Sequence, residues 1–233
     1  MIMLRRAGDR GHANHGWLDT YHTFSFADYH DPDFMGFGVL RVLNQDRVAP
    51  GGGFPRHGHR DMEIVTYVLE GVLEHRDSLG NGSRMEHGDV QLMSAGTGVL
   101  HSEFNASANE ELHFLQMWVI PSHGGTTPRY EQRRFETEDL PGALRLLVSP
   151  EGRDGSLTIG QDARLFGGVV GGFGSIRHVL PHGRSAWLHV ARGELRLGEL
   201  EFGPGDGAAI RGEREIALTS REEAEVVLWE LPE

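Results

Sequence analysis

The chain has no cysteine among its 233 residues. A disulfide framework and a thiolate metal site are therefore excluded, and any metal centre must be assembled from histidine and carboxylate. Long apolar runs are also missing. No stretch approaches the ~20 residues that span a bilayer as a helix. The segment Met1-Ile2-Met3-Leu4-Arg5-Arg6 lacks a signal-peptide core, so the cytoplasm is the expected location. Basic charge is scarce: 22 Lys and Arg stand against 34 Asp and Glu, for a formal net charge of -12. That balance argues against non-specific nucleic-acid binding, which needs a basic face, and against attraction to an anionic membrane.

Glycine is plentiful at 33, which suits tight turns between short strands. The length allows one large all-β domain or two small ones. Histidine is spread unevenly: eleven of 14 lie at or before His123, and only His178, His182 and His189 follow. The first half is where chemistry is expected.

One stretch stands out there, Arg56-His57-Gly58-His59-Arg60-Asp61-Met62-Glu63, followed by the β-branched and aromatic run Ile64-Val65-Thr66-Tyr67-Val68-Leu69. Residues two apart on a strand share a face, so His57 and His59 project together. Asp61 and Glu63 have the same parity. Two neutral imidazoles on one face are a ready pair of ligands for a divalent metal. A second cluster, His101-Ser102-Glu103, alternates in the same way. By contrast, His12, His15 and His22 have no ligand partner at strand spacing and are read as packing within an N-terminal arm. The loop Ala49-Pro50-Gly51-Gly52-Gly53-Phe54-Pro55 does not bind phosphate on this reading, because no Lys follows it and no helix opens from it.

Other strands are expected at Val39–Val48, Val72–Asp77, Val90–Ala95 and Leu112–Ile120, with a hairpin turn at Asn81-Gly82. Such spacing indicates a sandwich or barrel. Residues 121 to 145 read as a charged connection holding one short helix. The second half then echoes the first. Trp187 to Leu195 matches Val65 to Leu73, and Gly205-Asp206 matches Gly88-Asp89. In that degenerate repeat, Val179, Pro181, Leu218 and Ser220 stand where His57, His59, His101 and Glu103 stand in the first copy.

These motifs resemble the cupin superfamily. Gly51, His57-Gly58-His59, Glu63 and Gly71 follow its first motif. Gly88, Ser94 in place of Pro, Gly96, His101 and Asn105 follow its second, with two extra residues before His101. The closer likeness is to the bacterial branch of the pirin family. It is carried by Arg10 to Leu18, His22-Thr23-Phe24-Ser25-Phe26, Met93 to Gly98, His101 to Asn105, Thr127-Pro128-Arg129-Tyr130 and Asp154 to Leu157.

The resemblance implies an all-β bicupin of two antiparallel β-barrels face to face. Residues 1–125 would form a metal-binding barrel, and residues 126–233 a linker and a second barrel without metal. The usual cupin acid spacing falls on Ile64, with Glu63 one residue early, but the pirin resemblance implies a carboxylate from the second motif, and so the ligand set His57, His59, His101 and Glu103. Fe(II) is the family expectation, although these donors also suit Mn, Ni, Co, Cu or Zn. The implied activity is quercetin 2,3-dioxygenation of a flavonol with O2 and release of CO, by a chain read as a monomer. Glu103 is the candidate base, with Glu63 or a metal-bound hydroxide as alternatives. Either one of Asp61 and Glu63 orients a ligand imidazole, or both are simply solvated or paired at the barrel mouth. Met93, Phe54, Leu100, Phe114 and Met117 are either pocket wall or barrel core. The rival readings are a metal-binding regulator acting through protein contacts, another metal-dependent reaction, and a plain folded domain.

Overall fold

The computed structural model describes residues 1–135, 143–172 and 174–233. Among them there is no α-helix, and the regular structure is strand with two short 3-10 turns. In the first part of the chain the strands are β1 (Ile2–Arg5), β2 (Gly11–Asn14), β3 (Leu18–His22), β4 (Leu40–Val48), β5 (Gly53–His59), β6 (Glu63–Glu70), β7 (Leu73–Asp77), β8 (Gly82–Met85), β9 (Asp89–Ser94), β10 (Val99–Asn105), β11 (Leu112–Val119) and β12 (Arg129–Arg134). After them come β13 (Arg145–Ser149), β14 (Leu157–Thr158), β15 (Arg164–Val170), β16 (Ser175–Val179), β17 (Arg184–Arg192), β18 (Leu195–Leu197), β19 (Leu200–Phe202), β20 (Gly207–Ile210), β21 (Glu215–Thr219) and β22 (Ala224–Pro232). Among the described residues no helix is long and apolar enough to cross a membrane.

The chain divides into two compact units. The first holds residues 11–134 and 157–161, and the second holds 1–10, 135–156 and 162–233. This differs from a single division at 125/126, for a reason visible in the pairing. β12 extends the large sheet of the first unit by pairing with β9, while β1 pairs with β20 of the second. β12 also occupies part of the stretch expected to hold a short helix; residues 136–142 of that stretch lie outside the described residues.

Each unit consists of two separate antiparallel sheets, so its hydrogen bonding does not close into a continuous barrel. In the first unit the large sheet runs β12-β9-β6-β11-β4-β3-β2 and the small one β5-β10-β7-β8. Central strands are buried on both faces; β6 is covered from Glu63 to Leu69. In β10 burial alternates strictly, with Val99, His101, Glu103 and Asn105 inward and Leu100 and Phe104 exposed. Both sheets contribute to one apolar cluster, Leu18, Val48, Val68, Leu73, Met85, Leu112 and Phe114.

The second unit repeats the plan. Its β16 pairs with β21 as β5 pairs with β10. The positions facing inward there are mostly apolar, however; the exception is His178, which stands opposite Ile216 and meets Glu230 and Phe166, while Val179, matched to His57 in the repeat, is exposed. Ile176, Ile216 and Leu218 join a cluster with Leu188, Phe202 and Leu228. Two glycines explain why the repeat is still legible. Gly71 has φ 77° and Gly193 φ 72°, and each follows a long buried strand. A Cβ would lie 2.5 Å from the Glu111 carbonyl oxygen at Gly71 and 2.1 Å from that of Glu223 at Gly193. Both the left-handed backbone and the close approach require glycine.

Candidate metal centre

β5 and β10 are paired so that His101 lies directly opposite His57. His59 is two residues along β5 on the same face. The three rings converge, with centroids 4.4 Å apart for His57 and His101 and 4.8 Å for the other two pairs. A bulge between His101 and Glu103 shifts the register against β5, placing Glu103 opposite Phe54; on the other side of β10, where pairing with β7 is regular, Glu103 stands opposite His75. Ligand atoms of His57, His59 and His101 all lie within 4.8 Å of one another, and so do those of His75, His101 and Glu103. Glu103 thus groups with His101 and His75 rather than with the whole trio.

The protonation pattern follows from hydrogen bonds. His57 Nδ1 lies 2.8 Å from the Pro55 carbonyl oxygen. A carbonyl only accepts, so Nδ1 carries the proton and Nε2 presents a lone pair. That lone pair faces His101 Nε2 at 3.0 Å. Burial, then the nearby His57, holds His59 down to about 4. Burial, followed by His57, His59 and His75, holds His101 down to about 2 against the pull of Asp77. His75 is lowered too, chiefly by burial. His59, His75 and His101 are therefore neutral at neutral pH.

Glu103 is buried at the floor of this group. Its Oε2 accepts from Gln116 Nε2 at 2.7 Å, while Oε1 has no hydrogen-bond partner. Burial pushes its carboxyl up to about 7, although Gln116, Gln91 and Thr66 favour the ionised form. Gln116 belongs to a transverse polar row. Asn44 of β4, Gln116 of β11, Thr66 of β6, Gln91 of β9 and Gln132 of β12 are paired in register across the large sheet. Two residues along lies an apolar row, Trp118, Ile64, Met93 and Tyr130. Trp118 meets His59 edge-on at 4.9 Å, and Tyr130 stacks on His75 at 4.8 Å.

Asp61 and Glu63 do not continue the strand of the histidine pair. β5 ends at His59, Asp61 takes φ 48°, and β6 opens the other sheet at Glu63. The shared-parity reading is thereby corrected: it requires one continuous strand, and the chain turns between them. Asp61 Oδ1 accepts from the Gly125 N–H at 2.6 Å and Glu63 Oε2 from Ser94 Oγ at 2.8 Å. Among the described residues neither bonds a site imidazole. Of the apolar candidates, Met93 lies in the row beside the histidines. Phe54 and Phe114 pack in the core, Leu100 is exposed, and Met117 points to the opposite face of β11 from Gln116. His22 is buried and bonds Asn44, as a packing side chain does, whereas His12 bonds Asp19 at the exposed surface. The polar row, His75 and Trp118 were not singled out from sequence, and Tyr130 entered only within the segment Thr127-Pro128-Arg129-Tyr130 of the resemblance. Thr66, Gln91 and Gln116 inside otherwise apolar strands were the available signal.

The donor set fits a divalent cation. Nitrogens bound at about 2.1 Å in adjacent positions of a common ion would stand about 3.0 Å apart, and His57 and His101 Nε2 do. An unpaired, buried carboxylate oxygen nearby supplies a further donor.

Fold and site together define a two-domain cupin protein. Comparison with known proteins then places the chain. Residues 4–119 match the family model described as Pirin, and residues 146–231 match the Quercetinase C-terminal cupin domain. The chain belongs to the pirin family. It is 48% identical to the quercetin 2,3-dioxygenase of Escherichia coli K12 over 100% of this chain and 99% of that protein. It is 45% identical to a putative quercetin 2,3-dioxygenase of Pseudomonas aeruginosa over 99% of this chain and 100% of that protein. Among solved structures, the E. coli bacterial pirin YhhW in complex with nickel(II) has TM-score 0.94 and 47% identity, covering 100% of this chain and 99% of that one.

Proposed function

We propose that the chain is a metal-dependent dioxygenase that opens the central ring of flavonols such as quercetin, consuming O2 and releasing CO. The observation that carries this reading is the convergence of His57, His59 and His101, with facing Nε2 atoms 3.0 Å apart, beside the buried and half-paired carboxylate of Glu103. His57, His59, His101 and Glu103 would hold one divalent ion. Fe(II) is the first choice, and Mn, Ni, Co, Cu or Zn suit the same donors. Four protein ligands leave positions open, the layout of a catalytic rather than a structural site. When bound, the ion supplies Lewis acidity toward the flavonol 3-hydroxyl and access to O2.

The chain's own residues do the rest. Glu103 is the candidate base for the 3-hydroxyl proton; Gln116 holds its Oε2, so the Oε1 that is offered to the ion is also the oxygen that would exchange for that proton. Trp118 against His59 and Tyr130 against His75 flank the imidazoles and would orient a planar ring system and exclude water, with Ile64 and Met93 packed in the core behind them. The reaction needs no other chain, and we place it in the cytoplasm.

The test is to purify the protein anaerobically, load it with Fe(II), and follow quercetin loss, O2 uptake and CO release together. One O2 consumed and one CO released per quercetin is the expected result. One ion bound per chain with no turnover would overturn the dioxygenase and favour a regulator acting through protein contacts.

A further inference from the structure

We infer that Asp77 and His75 form a relay that sets the tautomer of His101, so that its Nε2 rather than its Nδ1 is offered to the metal. The inference rests on the reading of His57, His59 and His101 as ligands and extends it to residues outside that set. It begins at the turn between β7 and β8. Asp77 Oδ1 accepts from the backbone N–H groups of Leu79 at 2.9 Å and Asn81 at 3.0 Å. Oδ2 accepts from Asn81 Nδ2 at 2.9 Å. The carboxylate is thus pinned by the turn, and its side chain is fully covered.

The same Oδ2 lies 3.2 Å from His75 Nε2. A carboxylate with three donors already on it accepts, so His75 carries its proton on Nε2. His75 Nδ1 is then a lone pair. It faces His101 Nδ1 at 3.5 Å, a long contact that is attractive only if His101 donates. With the proton on Nδ1, His101 presents its Nε2 lone pair beside that of His57, 3.0 Å away, a pairing that repels in the metal-free protein and that a cation shared by both nitrogens makes favourable, so the relay acts in the metal-loaded state. His75 is held in the plane that makes this possible by stacking on Tyr130, at 4.8 Å with rings inclined 24°. Tyr130 in turn is anchored through its hydroxyl by Ser83 and Gln132. Asp77, His75 and Tyr130 therefore act through His101; they are positioning residues. Outer partners of ligand histidines of this kind fix ring orientation and tautomer, and losing one weakens metal binding by about 10–100-fold.

Two variants test the relay. Asp77→Asn keeps an oxygen for the Leu79 and Asn81 N–H groups but turns an amide donor toward His75 and so inverts its tautomer. His75→Phe keeps the stack on Tyr130 and removes the acceptor. The readouts are the histidine side-chain ¹⁵N NMR signature of the Zn²⁺-loaded protein and Zn²⁺ affinity by competition with a chromophoric chelator. The wild type is expected to show His75 protonated on Nε2 and His101 on Nδ1, and to bind one Zn²⁺ per chain. Both variants are expected to lose the His75 signature and bind Zn²⁺ about 10–100-fold more weakly. If His75 is protonated on Nδ1 in the wild type, or Asp77→Asn changes neither signature nor affinity, the relay is wrong. A second Zn²⁺ per chain also overturns it, because His75 and His101 Nδ1 would then be ligands. His57→Ala separates the two readings: loss of Zn²⁺ there with unchanged binding in Asp77→Asn sinks the relay alone.

Discussion

Asp46 is a carboxylate buried in the first unit, with the Thr20 hydroxyl donating to its Oδ1 at 2.5 Å. Burial pushes its carboxyl from 3.8 up to about 7, and the Thr20 bond offsets only part of that. Between those values the folded protein keeps a proton that the unfolded chain has released. The native state binds more protons there, so stability falls as pH rises through the window, and the whole loss is present above about 7. At about 1.4 kcal/mol per pH unit the full loss is about 4 kcal/mol, of which about 3 falls between pH 5 and pH 8. Asp46→Asn keeps an oxygen for Thr20 and has no proton to lose. Urea unfolding of chelator-treated protein at pH 5 and pH 8 measures the difference. The variant is expected to lose about 3 kcal/mol less than wild type over that range, at unchanged m. The depressed His59 and His101 act in the opposite sense, lowering stability as pH falls below 6.5, and are common to both proteins; Glu103 acts in the same sense as Asp46 and is raised in part by it, so its share also shrinks in the variant. Parallel pH profiles for the two proteins would refute the reasoning.

Three further outcomes follow from the same structure. Glu103→Ala should abolish O2 consumption by the iron-loaded protein more thoroughly than Glu63→Ala, whose carboxylate bonds Ser94 instead; equal effects would remove Glu103 from the ligand set. Phe114→Ala, at a fully buried position in the core beneath the site, should cost about 3–5 kcal/mol in denaturant unfolding. A loss under 1 kcal/mol would mean that this core is not packed as described. Gly71→Ala and Gly193→Ala should each lower stability by more than about 1 kcal/mol, since both place a Cβ against backbone at positive φ; a neutral effect at either would show that the turn can relax.

Much of the fold was legible because its signals are local. Alternation in Val99 to Asn105 predicts which side chains of β10 face inward, and the burial there agrees. The echo of Gly71 at Gly193 is readable because each glycine answers the same steric demand. The parity of Glu63 with His59 misled, since strand periodicity says nothing about where one strand ends and the next sheet begins. Arg60 and Asp61 carry no glycine or proline to announce that turn. The domain boundary was harder still: β1 joins β20 across 200 residues of chain, a pairing no local pattern reveals. The same holds for His75. Its neighbours Glu74, Arg76 and Asp77 make it look like one polar position of a surface strand, yet it is fully buried, with Tyr130 of the facing sheet stacked on its ring. Its place beside His101 depends on the register of two strands 26 residues apart.

The most direct measurement is anomalous X-ray diffraction at the iron edge from crystals of protein loaded anaerobically with Fe(II). The account predicts one strong peak per chain in the first unit, within bonding distance of His57 Nε2, His59, His101 Nε2 and Glu103, and none in the second unit, where Ile176, Ile216 and Leu218 fill the corresponding space. A peak at any other group of residues, or no peak with iron bound in solution, would contradict it.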